Sequence, residues 1–218
     1  MTWVILALLV IAQTGAGMVW WSRLRPRASL VEVLGMGMAL GTSMGLLAGL
    51  VGLLLPMPPG LRPWLSLLPA LGTGVWWLVR RPALSLRPAA VPEWVAVGLG
   101  LVLGGVALAV NVSHYPLSWT GTISSFHPDM LFFEALAQGT PTFGPGDSPL
   151  MAGADIRYHW FTYAWAGQLA AIADAPSFAT LTRVLPIVAL VGICLVASAW
   201  AWRATRVAWV PTLAVLLI

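Results

Sequence analysis

The chain has 218 residues, of which 59% are apolar and only 8% charged, where soluble domains carry about 25% charged residues. With a mean hydropathy of +0.88, so much apolar surface needs lipid around it, which excludes an ordinary water-soluble domain. The formal charge of +4 comes from eleven arginines and no lysine. They sit in short loops between apolar runs, a pattern that sets membrane orientation and argues against nucleic acid as a partner.

Residues 2–22 predict the first span. No basic stretch precedes it and no small-residue cleavage site is convincing, so it reads as an anchor rather than a removed signal peptide. Arg23, Arg25 and Arg27 follow at once and mark that end as cytoplasmic, with the N-terminus outside. Residues 29–55 predict the second span. Gly41, Gly45 and Gly49 recur at four-residue steps and form a small-residue stripe that another helix can approach closely. Glu32 sits near the cytoplasmic end, where water can reach it. Pro56-Met57-Pro58-Pro59-Gly60 predicts an external turn. Residues 63–79 return inward to Arg80, Arg81 and Arg87, a second cytoplasmic cluster that agrees with the first. Residues 93–112 run outward and close an N-terminal four-span region, 1–112.

The segment 113–156 then lies outside. The stretch from His114 to His159 is the one long polar interruption, with all three histidines and Asp129, Glu134, Asp147 and Asp155. Pro128 suits the first turn of a helix, and Asp129 sits where that helix's partial positive charge favours a carboxylate. Residues 129–138 predict a short, largely apolar helix half-sunk at the membrane surface, ended by Gly139. Glu134 and Gln138 share a face that should be solvated. Residues 141–149 are a chain of turns.

The C-terminal region, 157–218, begins with a helix from Arg157 to Asp174 that is just long enough to cross. A span over 178–202 follows, then Arg203 and Arg206. The run 207–218, about 12 residues, is too short to span and reads as a span continued in a longer protein. A full crossing by 157–174 puts Arg203 and Arg206 outside; a re-entrant helix puts them inside. The crossing is the expectation, because charge bias weakens away from the first spans. The fold class that results is all-α: a polytopic bundle of about six or seven spans, with a large external loop carrying an amphipathic helix. Cys194, the only cysteine, lies in an apolar run, so no disulfide or cysteine-ligated metal site forms within the chain.

A carboxylate at the outer surface can take the proton from a hydroxyl as that oxygen attacks a lipid-linked sugar. Asp129 is the candidate. Arg157 can neutralise a leaving phosphate, and Tyr158 and His159, at the next helix entrance, can orient sugar or phosphate oxygens. Plain structural roles compete with each assignment. Asp129 suits a helix start, Arg157 snorkelling to headgroups, and His159 interfacial anchoring beside Trp160. His127, Asp129 and His159 combine ligand types that suit Zn or Mn, without any His-Glu-x-x-His spacing. A divalent metal is the one cofactor these residues suggest.

Asp129, Phe132 or Phe133, Ala135 and Gly139 follow the form Asp-x-x-aromatic-x-x-Ala…Gly. With the later Gly153…Arg157-Tyr158-His159-Trp160-Phe161, and Arg183 in Leu181-Thr182-Arg183-Val184-Leu185-Pro186, the chain resembles the polytopic glycosyltransferases of the GT-C fold. These include protein O-mannosyltransferases and aminoarabinose transferases. The resemblance covers roughly residues 93–206. It implies a polyprenyl-phosphate or polyprenyl-diphosphate sugar as donor and a hydroxyl acceptor on the outer face of a bacterial plasma membrane. Asp129 would be the catalytic base or would position a divalent metal, with Glu134, Arg157, Tyr158 and His159 on the substrate side. The partners it implies are the bilayer and the lipid-linked donor. Two other readings stay open. One is a transporter or channel component, with ionisable groups along its path. The other is a non-catalytic assembly protein joined through the glycine stripe.

Overall fold

Close backbone contact between the first two helices sets the arrangement of the rest. The computed structural model describes residues 1–83, 86–114, 129–143, 147–148, 151–155 and 160–218. In it, α1 (Thr2–Leu24) and α2 (Leu30–Val51) form an antiparallel hairpin. Gly17 lies on the Gly37 backbone and Gly41 on the Gln13 backbone, so close that neither position has room for a Cβ. Gly45 and Gly49 face the side-chain amides of Gln13 and Gln168. The stripe Gly41, Gly45, Gly49 is thus buried inside the chain, where small residues let helix backbones approach.

α2 ends in a 3-10 turn, Gly52–Leu54. The chain returns along the bundle as a 3-10 helix, Pro59–Leu67, and then α3, Leu68–Arg80. A single span over 63–79 was the expectation. Pro63 within the 3-10 helix and Pro69 at the start of α3 remove backbone donors that a continuous α-helix would use. Trp20 fixes α3: its Nε1 donates to Thr73 Oγ1 at 2.9 Å, and its ring stacks on Trp76 with centroids 5.6 Å apart. α4 (Val91–His114) runs to the opposite end. α5 (Asp129–Phe143) follows, then a two-stranded antiparallel ribbon of β1 (Asp147–Ser148) and β2 (Met151–Asp155). Next come α6 (Phe161–Ala173), α7 (Ser177–Thr205) with a π turn at Thr180–Val184, and α8 (Val210–Leu216).

The protein is all-α apart from that ribbon. α1, α2 with its 3-10 turn, α4 and α7 are long and apolar enough to cross a membrane, as in a multi-pass integral membrane protein. Among the described residues these four meet that criterion, where six or seven spans are expected from the sequence. α6 has 13 residues, about 20 Å at 1.5 Å per residue, against roughly 30 Å of hydrocarbon.

Two buried carboxylates gather helix ends at the end that carries Arg25 and Arg27. Glu93, 0% exposed, accepts from Ser29 Oγ at 2.5 Å and from the Ala90 N–H at 2.6 Å. The Arg87 guanidinium lies 3.8 Å away, and Ser198 Oγ of α7 donates to the Glu93 carbonyl at 2.8 Å. Glu32 is buried, not hydrated as expected. Trp21 Nε1 donates to its carboxylate at 3.3 Å, and Arg203 pairs with it at 3.5 Å. Ser29 also caps α2 by accepting from the Glu32 N–H at 3.1 Å. Backbone bonds from Leu30 to Arg87 and from Arg87 to Ala28, both 3.0 Å, zip the loops together.

These contacts overturn the expected crossing by 157–174. Arg203 and Arg206 return to the end that holds Arg25 and Arg27. At the other end, Arg183 Nη2 donates to the Val112 carbonyl at 3.3 Å, so the end of α4 adjoins the start of α7. α6 runs from Trp165, whose Nε1 donates to Gln13 Oε1 at 2.9 Å partway along α1, to Ala173 beside Leu6. It occupies the half of the bundle away from Arg25 and Arg27 and does not traverse it.

Glu93→Ala leaves the Ser29 hydroxyl, the Ala90 N–H and the Arg87 guanidinium without their acceptor. We expect it to cost about 2–4 kcal/mol in detergent unfolding measurements. Unchanged stability would show that this carboxylate does not hold the helix ends.

Candidate functional site

The site at the far end is built on α5. Asp129 is its first residue and is exposed. The helix does not stop at Gly139 as expected but runs on to Phe143, through Pro141. Pro141 has no N–H to offer the Ala137 carbonyl. Gly167 of α6 rests on that same carbonyl, leaving no space for a Cβ, and the Pro141 ring packs beside it. The close approach thus uses the backbone oxygen that the proline frees. Phe133 stacks on Tyr163 with centroids 4.7 Å apart, and Ala137, Ala166 and Leu181 form a buried cluster. α5 is thereby docked on α6 and the start of α7.

Of the face expected to be solvated, Gln138 is exposed, whereas docking covers part of Glu134. It is half-buried at a cavity of about 300 Å³ shared with Trp3 and Leu6 of α1 and with Pro176 and Phe178 at the α6–α7 corner. The Phe178 N–H and Gln138 Nε2, the latter at 3.3 Å, donate to its carboxylate. Both bonds favour the ionised form, but burial outweighs them and pushes the carboxyl above its ordinary range. One turn beyond Phe178, the π turn carries Arg183, whose Nη1 and Nη2 donate to the carbonyls of Thr182 and Val112 at 3.2 and 3.3 Å. Such turns interrupt the regular helical ladder and recur at functional sites.

Asp129 and Glu134 are five residues apart on one helix, about 140° around its axis. Only Glu134 of the two lines the cavity at the α6–α7 corner. Arg157, Tyr158, His159 and His127 lie outside the described residues. Among the described residues, no three His, Cys, Asp or Glu side chains gather as a metal site would require.

Sequence reasoning missed a polar cluster deeper in the bundle. Gln13 accepts from Trp165, and Gln168 Nε2 donates to the Leu46 carbonyl at 3.5 Å. Gln13 Nε2, Gln168 Oε1 and Ser66 Oγ are buried with no hydrogen-bond partner among the described residues. The available signal was two glutamines inside otherwise apolar runs. Comparison with known proteins finds no matching family model, no similar curated protein and no matching solved structure.

The raised carboxyl makes a pH prediction. Glu134 binds its proton more tightly folded than unfolded, so its own contribution to stability is fully present below its ordinary value of 4.5 and is lost as pH rises through the folded value. Glu134→Gln cannot ionise. Thermal unfolding should show the variant matching the wild type in acid and exceeding it at neutral pH. Parallel curves at all pH values would contradict the burial of this carboxyl.

Proposed function

We propose that the chain is a membrane glycosyltransferase of the GT-C type, or the part of one that carries its proton-accepting carboxylate. It moves a sugar from a polyprenyl-phosphate donor to a hydroxyl acceptor on the non-cytoplasmic side, the end opposite the arginine clusters. The observation that carries this reading is Glu134: a carboxyl with a raised proton affinity at a largely apolar cavity where α1, α5 and the α6–α7 corner meet. A base of raised pKa accepts a hydroxyl proton more readily at neutral pH, and an apolar wall with one polar corner suits an amphipathic donor. Arg183, at the same end of the bundle, supplies positive charge for a departing phosphate. Asp129, the base implied by the family resemblance, is the second candidate. Its exposed position at the start of α5 suits contact with an acceptor arriving from water.

A transport role is the second reading. The buried amides of Gln13 and Gln168, with polar atoms unpartnered among the described residues, favour it, since such groups mark hydrated paths through membranes. An assembly role through the glycine stripe loses its basis, because that stripe is covered within the chain.

Transfer from a labelled polyprenyl-phosphate sugar by the native full-length protein in liposomes separates these readings. Glu134→Gln should lose about 100-fold or more in transfer rate, with Asp129→Asn nearer wild type. The reverse pattern would return the base to Asp129. Absence of transfer by the wild type, together with proton leak that Gln13→Leu abolishes, would replace the transferase by a transporter.

A further inference from the structure

The end of the bundle that holds Glu32 and Glu93 also holds a polar cavity of about 170 Å³, lined by five arginines, Arg25, Arg27, Arg87, Arg203 and Arg206, and by one carboxylate, Glu32. The arginines come from three separate stretches: the α1–α2 turn, the segment before α4, and the end of α7. Two of the five charges are matched, Arg203 by Glu32 at 3.5 Å and Arg87 by Glu93 at 3.8 Å. Arg25, Arg27 and Arg206 have no carboxylate partner among the described residues. Arg27 at φ 79° and Arg206 at φ 57° adopt left-handed backbone conformations uncommon for residues other than glycine.

Arg206 lies over the Trp202 ring at 5.7 Å, and within the lining Glu32 offsets one of the five charges, so the lining keeps an excess of positive charge that attracts a further anion. The planar guanidinium forks fit phosphate oxygens two at a time. The same chain segments carry apolar groups as well: Leu24, Trp200 and Trp209, each within three residues of a lining arginine, are exposed, and tryptophan rings settle at the headgroup level of a bilayer. We propose that this cavity binds the phosphate of an anionic phospholipid headgroup, with the acyl chains lying along the adjoining apolar helix surface. Free phosphate shares the polar chemistry but makes no use of the apolar groups.

Binding of phosphatidylglycerol to the detergent-purified protein, read by native mass spectrometry and by the rise in unfolding temperature, tests this. The wild type should bind phosphatidylglycerol in preference to phosphatidylcholine. Arg27→Gln with Arg206→Gln should bind roughly thirtyfold more weakly. Arg80→Gln with Arg81→Gln, exposed arginines outside the cavity, should bind as the wild type does. Arg27→Lys with Arg206→Lys preserves charge and guards against misfolding of the Gln pair; it should fall between the two. Equal weakening by the Arg80/Arg81 pair would mean diffuse charge attraction and overturn the proposal. So would undiminished binding by both Arg27/Arg206 variants, or saturation of the same thermal shift by millimolar inorganic phosphate in place of lipid.

Discussion

The fold depends on what happens to the Glu93 carboxylate. Burying an unpaired carboxylate costs several kcal/mol, roughly, even after relaxation, so a fully covered one must be surrounded by donors. Glu93 is supplied by Ser29 from the α1–α2 turn, by the Ala90 N–H at the start of α4, and by Arg87 before it. Ser198 then ties α7 to the same residue through its backbone carbonyl. Glu32 repeats the device with Trp21 and Arg203. The two carboxylates thus gather α1, α2, α4 and α7 at one end, and they determine which way α7 runs.

That direction has a consequence for the far end. Since α4 leaves the arginine end and α7 comes back to it, the described residues between them belong to the opposite half of the bundle. α5 and α6 fold back into that half against the first turns of α1. A cavity with one half-buried carboxyl forms where they meet. The carboxyl's raised proton affinity follows from packing that the glycine contact at Gly167 and the Phe133–Tyr163 stack make possible. The glycosyl-transfer proposal rests on this chain of contacts, and the lipid-binding proposal rests on the arginine end independently of it.

The long helices were legible in the sequence. Expected spans over 2–22, 29–55, 93–112 and 178–202 correspond to Thr2–Leu24, Leu30–Leu54, Val91–His114 and Ser177–Thr205, because each is an apolar run bounded by arginine, proline or a polar segment. α6 was misread for a physical reason. Its residues Ala164–Ala170 are all buried, and a helix apolar all round suits a protein core as well as lipid. The ties that would have decided between these lie far apart in sequence: Ser29 and Glu93 by 64 residues, Glu32 and Arg203 by 171. For the same reason Glu32 read as hydrated and Glu134 as solvated. Of the candidate site, the helix α5 and its two carboxylates were foreseen, but not which of them would face a cavity.

The most direct test of this arrangement is the sidedness of the α7–α8 turn. In a Cys194→Ser background, single cysteines at Pro26, Ala208 and Asp174, all exposed positions, can be probed in sealed oriented vesicles with a membrane-impermeant maleimide. Cysteines at 26 and 208 should react from one face and the cysteine at 174 from the other. Labelling of 26 and 208 from opposite faces would contradict the account, because it would require the chain between α4 and α7 to cross.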